Sequence, residues 1–537
     1  SIQCISNGTS SIRSESIVPV GIFLPPSGYL LEGIHLHPLL RQALQKMSET
    51  TEIRNQVTFL AYLNRQIRAA KRSHLMGFRL REIEAESKFC REFSIDAMER
   101  VVPIGEVRAV LSDVGVSEQR ERKLNMVVTV FIVICMGLYS HLSIGKVLQQ
   151  LAKGLRYIWP DPEYAVAKDS AISYRRYQLG ARPIVELFRR ICRPIATEET
   201  PGAFLFGLRL MAIDGTTEDL ADTPENNAVF GRPGSGRGES AFPQMRGVYL
   251  TECGTHTIVD AGFWPLETGE RTGGFRMLRS LTAGMLVMWD RGFHDYDMVA
   301  DARKRGAHVL GRLPAHVKPR SILTLPDGSQ LAYIYPSAPQ RRRRGEHLLV
   351  RIITYTIKDP ALPGYGETHR LLTTLLSHQL YPALDLACAY HERWEIELVI
   401  DEIDTHQRLA QGPLRSQKPV AVIQEAYGLL IAHFVIRFLM HEAACLAGID
   451  PDRLSFTHAL ELVRNAVDQF QITAREQLDA LYRRLLNDIA NGRLPKRRIR
   501  SNPRVVKRKM SKFLKKRPEH KHWPQPQLPW QDAIVLI

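Results

Sequence analysis

From Met126 to Tyr139 the chain runs apolar almost without a break. A helix with no polar face belongs inside a protein, and this one is about four residues too short to span a bilayer. It forms the centre of a helical stretch from about residue 94 to residue 190, with Leu142–Leu151 amphipathic and Ser143 as its cap. Residues 193–202 read as a linker, and the pattern then changes period. Leu208–Asp214 is an apolar run ending in an acid, and Gly247–Cys253 and Thr255–Ala261 are β-rich runs with only Gly254 between them, which predicts a hairpin. A helical stretch at 269–282, a buried strand Met285–Asp290, a helix at 295–305 and a strand Ala307–Arg312 follow. Such alternation predicts an α/β domain with a mixed sheet. Residues 313–376 break the rhythm with several short strands and read as a β-rich insertion. Long helices are predicted over 384–410 and 419–444, with further helix in a C-terminal region at 446–490. The first thirty residues are rich in Ser, Gly and Pro, and residues 1–93 define no domain; residues 491–537 form a basic tail.

Net charge is +16 over 537 residues, which favours a polyanionic partner. The charge is concentrated: Arg493–Lys521 holds fourteen Lys or Arg and one acid, Glu519, a net of +13. None of the seven cysteines forms a C-x-x-C pair, which argues against a zinc site or a disulfide framework and fits a reducing cytoplasm. No signal-peptide pattern is visible and no membrane association is expected. With a polyanion in view, Asp169–Tyr177 reads as the second helix of a helix-turn-helix, presenting Ser170, Ser173, Arg175 and Arg176 to DNA; a plain helical bundle with an exposed basic face explains the same residues equally well.

Asp214 and Asp290 each close an apolar strand and precede a Gly-containing turn, the crevice end of an open α/β sheet. Tyr390, Arg393 and Glu397 share one face of the 384–410 helix at i, i+3 and i+7. Three carboxylates without His or Cys suit hard Mg²⁺ ions, two of which can activate and steady the oxygens of a phosphodiester. Read alone, Arg393–Glu397 is equally an i,i+4 surface ion pair, and Glu392, Glu395, Asp401 and Glu402 crowd the same helix. The loop at 231–238 (GRPGSGRG) lacks the Gly-Lys-Ser/Thr of a P-loop, and its Arg232 and Arg237 are candidate DNA contacts. Trp289 and Trp394, beside the candidate acids, are expected to pack in the core.

Ala-Ile-Asp214-Gly-Thr, Trp-Asp290-Arg-Gly-Phe and Tyr390-x-x-Arg393-x-x-x-Glu397 resemble the DDE transposases of bacterial insertion sequences of the IS-4 type. The stretch from Asn227 to Gln244 and the run Glu252-Cys-Gly-Thr-His resemble one branch of that family. The resemblance implies an RNase H-like mixed-sheet catalytic core (203–445) with a β-rich insertion, preceded by an all-helical DNA-binding domain (94–192). It implies Asp214, Asp290 and Glu397 as ligands of Mg²⁺, with Mn²⁺ as a substitute, and Tyr390 and Arg393 as phosphate contacts. It further implies double-stranded DNA as partner, both as inverted-repeat ends and as target, and a homodimer on paired ends. One position departs: Asp404 stands where the family's helix motif often has Lys, which predicts weakened end binding or an inactive copy. The alternatives are a metal-dependent nuclease of the same fold and a DNA-binding relative without catalysis.

Overall fold

The computed structural model describes residues 96–116, 124–151, 168–235, 238–362, 364–409, 412–495, 505–506 and 514–537. Residues 1–93, Arg237 and most of the basic stretch lie outside the described residues.

Asn125 opens the apolar run, its side chain accepting a hydrogen bond from the Val128 amide at 2.7 Å. In the helix that follows, every residue is buried. In chain order the first helices are α1 (Ile104–Asp113), α2 (Met126–Leu138), α3 (Ile144–Leu151), α4 (Asp169–Leu179) and α5 (Arg182–Ile191).

The alternating segment becomes β1 (Leu208–Asp219), β2 (Gln244–Glu252), β3 (Thr257–Pro265), α6 (Glu270–Met277), β4 (Met285–Trp289), α7 (Tyr296–Lys304) and β5 (His308–Arg312). β1, β2 and β3 form an antiparallel meander. β4 then returns parallel to β1 on its other side, and β5 lies parallel to β4. This is the RNase H-like core. The predicted insertion supplies β6 (Arg320–Thr324), β7 (Gln330–Ile334), β8 (Leu348–Ile357) and β9 (His369–Thr373). These strands extend the same sheet, in the order β3-β2-β1-β4-β5-β9-β8-β7-β6. β6 is exposed along its whole length at the far edge.

After the sheet, one helical run changes its winding twice. It starts as α8 (Ala383–Ala389), tightens to a 3₁₀ turn at Tyr390–Arg393, relaxes to α9 (Trp394–Asp401) and widens to a π turn at Glu402–Gln407. Next come α10 (Pro419–Ala447), α11 (Phe456–Ile472) and α12 (Leu478–Asn491). The chain then returns to the sheet, with β10 (Ile534–Leu536) adding antiparallel to β8. Among the described residues, α10 alone is long and apolar enough to cross a membrane, and 78% of its apolar window is buried in protein. It is a core helix.

α2 lies against α10 at a glycine crossing. A Cβ on Gly137 would stand 2.7 Å from Leu429 Cα, and one on Gly428 would stand 2.5 Å from the Val133 carbonyl oxygen. Only glycine lets the two backbones approach so closely. The helices from both ends of the chain and one face of the sheet share a single apolar core.

Candidate active site

The register of two strands sets the site. β1 and β4 are parallel neighbours, with Ile213 paired to Trp289. The next residue on each strand is an acid, so Asp214 and Asp290 lie on adjacent strands about 4.8 Å apart along the hydrogen-bonding direction. β1 itself runs on to Asp219, so Asp214 ends the apolar part of its strand rather than the strand. The end of β4 is pinned by Trp289, whose fully buried ring covers Gly311 on β5; a Cβ there would meet its Nε1 at 2.5 Å. Asp290 Oδ1 accepts the Gly292 amide at 2.7 Å, closing the turn after β4.

The helical run brings the third acid. Arg393 Nη1 donates to Asp214 Oδ2 at 2.9 Å, and its Nη2 donates to Glu397 Oε1 at 2.9 Å. The i,i+4 pair expected of a surface helix is present, but the same guanidinium reaches into the sheet. Tyr390 donates its hydroxyl to the Trp289 carbonyl at 3.2 Å, tying the 3₁₀ turn to the last residue of β4, next to Asp290. Burial pushes the Asp214 carboxyl up to about 6; Arg393 and the Gly215 amide oppose the rise, while Asp290 and Glu397 add to it. Burial likewise pushes the Tyr390 phenol up.

This donor set fits divalent ions. Arg393 joins the Asp214 and Glu397 carboxylates, and Asp290 and Glu397 both raise the Asp214 carboxyl. A cation beside them would add positive charge where three acids are served by one arginine. All the candidate donors are oxygens, as a hard ion requires.

Asp404 does not project alone into the place expected of a cation. Its carboxyl shares a hydrogen bond with Glu218 of β1. Arg408 contacts Glu218 and stands 3.5 Å from Asp404. Strand acid, helix arginine and helix acid therefore occur twice along β1: Asp214–Arg393–Glu397, then Glu218–Arg408–Asp404. The positive charge absent at position 404 is present one turn later.

Three arginines expected at DNA are committed elsewhere. Arg175 donates to the Leu124 carbonyl at 2.6 Å and to Gln178 at 2.7 Å. Arg176 donates to Gln424 at 3.2 Å, Ser416 at 3.0 Å and the Ala421 carbonyl at 2.9 Å. Both are buried because Ile172, Arg175, Arg176 and Leu179, at i, i+3, i+4 and i+7, are the buried stripe of α4 itself. Tyr174 and Tyr177 face solvent instead. Arg232 braces its own loop, bonding the Ser240 and Ala241 carbonyls at 2.9 and 2.8 Å and Asp222 at 2.5 Å. The two tryptophans divide: Trp289 is buried as expected, but Trp394 is 45% exposed on the outer side of α9.

A second charged cluster lies on the reverse side of α9, and its roles were not evident from the residues alone. Glu252 ends β2, and Thr255 and His256 come from the turn between β2 and β3, which spans Cys253–His256 rather than Gly254 alone. His256 Nε2 lies 2.6 Å from Glu395 Oε2 and 3.2 Å from Asp452 Oδ1, and its Nδ1 lies 3.2 Å from Glu402 Oε1. Arg437 of α10 contacts both His256 Nδ1 and Glu402, and His433 Nε2 stands 3.1 Å from Glu402. Burial and Arg437 oppose a charge on His256, yet Asp452, Glu402 and Glu395 outweigh them and push its pKa up to about 9. The Glu402 carboxyl is held well below its ordinary range, since Arg437 and His256 overcome its burial. His256, Glu395 and Asp452 offer ligand atoms within 4.8 Å of one another. With Arg437 already against the ring, the group reads as an ion-pair network rather than a metal centre.

Residues 92–189 match the family described as Insertion element 4 transposase N-terminal, and residues 205–435 match Transposase DDE domain. The chain is 28% identical over 410 residues to Transposase InsG for insertion sequence element IS4 of Escherichia coli (strain K12), covering 75% of this chain and 90% of that protein. It is 29% identical over 147 residues to Putative transposase InsZ of the same strain, covering 27% and 49%. The cryo-EM structure of a piggyBac transposase synaptic complex with hairpin DNA aligns over 75% of this chain and 87% of its own, at 11% identity and a TM-score of 0.39. One family match takes in the helices from α1 to α5 and the other takes in all three acids, and the InsG relative spans nearly its whole length, so the chain belongs to the DDE transposases of the insertion element 4 type and is a metal-dependent DNA transposase.

Proposed function

We propose that Asp214, Asp290 and Glu397 are the catalytic metal ligands of this transposase, holding Mg²⁺ or, in its place, Mn²⁺. The reading is carried by the Ile213–Trp289 register, which sets two of the acids side by side, with Arg393 joining Asp214 to Glu397. A pair of divalent ions held by these carboxylates would supply an activated water and steady the departing 3′ oxygen. The protein's own residues do the rest. Arg393, whose fork spans Asp214 and Glu397, is shaped to hold a phosphate of the bound strand beside those acids. Tyr390, fixed to the Trp289 carbonyl, holds the 3₁₀ turn so that Arg393 and Glu397 approach from one side. The chain binds the inverted-repeat ends of its own element, cuts beside them, and joins the freed 3′-hydroxyl to target DNA as a homodimer in the cytoplasm.

The test uses the full chain and a linear duplex ending in the element's inverted repeat. Asp214→Asn is expected to abolish cleavage with Mg²⁺ and Mn²⁺ while end binding persists. Cleavage by that variant at the wild-type rate would remove the assignment, and wild-type cleavage without joining to a target would make the protein a nuclease.

A further inference from the structure

The face of α9 turned away from the three acids carries more buried charge than the face that bears Glu397. At about 100° per residue, Glu395 and Glu402 fall within about 20° of each other, and Glu397 lies about 160° from Glu395 and about 140° from Glu402. Glu395 and Glu402 are each 8% exposed and meet His256 and Arg437, at 0% and 3%. The Glu397 side chain, by contrast, is 39% exposed. Among the described residues Arg393 is the side chain that holds Glu397, so its position is inherited from how the helix is seated.

The seat is rigid. His256 adopts φ +59°, a left-handed conformation unfavourable for a residue with a side chain. Two residues earlier the turn is pressed against Ala203, whose Cα would lie 2.5 Å from a Cβ on Gly254. Glu252 anchors the same turn from below, accepting the Ile195 and Ala196 amides at 3.1 and 3.0 Å and the Thr255 hydroxyl. The ring of His256 thus projects from a fixed point. Glu395 and Asp452 meet its Nε2 side, and Glu402 and Arg437 its Nδ1 side, while His433 braces Glu402.

Building on the three-carboxylate reading above, we propose that His256 is a positioning residue of the catalytic centre: it grips Glu395 and Glu402 from behind and so sets the height and rotation at which α9 presents Arg393 and Glu397 to the metal ions. It touches neither metal nor DNA. Misplacement of a reacting group by about 1 Å can cost about 10²-fold in rate, so loss of this grip registers in catalysis before binding.

Two variants of the full chain test this. His256→Gly removes the ring at a position where glycine adopts the required φ freely, and Glu395→Gln keeps the shape of the helix partner while removing its charge. Each is compared with wild type for end binding, thermal stability, and cleavage rate as a function of Mg²⁺ concentration. The expected result is end affinity within about twofold, a saturating cleavage rate lower on the order of 10²-fold, and a Mg²⁺ requirement raised about tenfold. Added imidazole should restore part of the His256→Gly rate. The inference is overturned if the folded variants cleave at the wild-type rate with the wild-type Mg²⁺ dependence, whatever their stability. Should His256→Gly not fold, Glu395→Gln alone decides. Failure of the wild type to cleave, or full activity of Asp214→Asn, would instead strike down the three-carboxylate reading and this one with it.

Discussion

Gly428→Ala separates two opposite expectations. Helix propensity alone favours alanine in the middle of α10 by about 1 kcal/mol. The glycine crossing predicts a loss. The new Cβ would lie 2.5 Å from the Val133 carbonyl oxygen and 2.9 Å from Val133 Cγ1. An unstrained carbon–oxygen approach is about 3.3 Å or more, so α2 and α10 would have to part by about 0.8 Å. Overpacking of this kind costs about 1–3 kcal/mol. The crossing also carries the end of the catalytic helix. The Gln407 side-chain amide donates to the Gly137 carbonyl at 3.2 Å and the Leu429 carbonyl at 3.0 Å, one acceptor on each helix. Spreading the helices strains both bonds, each contributing about 0.5–1.5 kcal/mol. Set against the propensity gain, the net is a destabilisation of about 1–5 kcal/mol. Calorimetry should show a fall in Tm of about 1–5 °C. Cleavage should fall more than end binding, because Gln407 closes the run that carries Glu397. A Tm equal to or above wild type would refute the backbone-to-backbone crossing.

Trp289→Ala should cost about 3–5 kcal/mol in urea unfolding, whereas Trp394→Ala should stay within about 0.5 kcal/mol; similar losses from both would contradict their opposite burial. Glu218 gives a pH signature. Burial and Asp404 push its carboxyl up to about 8 against the pull of Arg408. From the ordinary Glu pKa near 4.5 up to about 8 the folded chain therefore binds more protons than the unfolded chain, and stability falls as pH rises through that window. Glu218→Gln should flatten the decline in Tm between pH 5 and pH 8, and parallel slopes for variant and wild type would refute the shared proton.

Much of the fold was legible because its signals are local. The buried α2 is declared by a run with no polar face, the sheet by short apolar and β-rich runs, and the helical run by its 3.6-residue spacing. Asp214 and Asp290 could be singled out as strand-end acids, but their adjacency depends on β4 returning beside β1, which no local pattern states. Arg175 and Arg176 misled for a related reason. Charge suggested a surface, whereas their spacing with Ile172 and Leu179 already marked the buried stripe; Arg175 is satisfied by the Leu124 carbonyl and Gln178, and Arg176 by Gln424, Ser416 and Ala421 some 240 residues away. Trp394 erred in the other direction, since a large aromatic was expected inside. His256 gave only the quoted Glu-Cys-Gly-Thr-His run, because its partners lie on three distant elements.

The changes of winding along residues 390–407 explain how one helical run serves two opposite faces. In a regular α-helix five residues turn through about 500°, which would put Gln407 about 140° away from Glu402 and leave one of them outside. The π turn's i→i+5 winding brings the two closer into line, and both are in fact buried, at 8% and 0%. Glu402 can then meet Arg437 while Gln407 reaches the α2–α10 crossing. At the other end, the tighter 3₁₀ turn places Tyr390 against the β4 carbonyl with Arg393 still in reach of Asp214. Straightening either end into α-helix would rotate its anchors off their partners while leaving Glu397 formally in sequence. The acid at 397 therefore acts where it does because its helix departs from regular winding on both sides, and each departure is held by residues that never touch the ions.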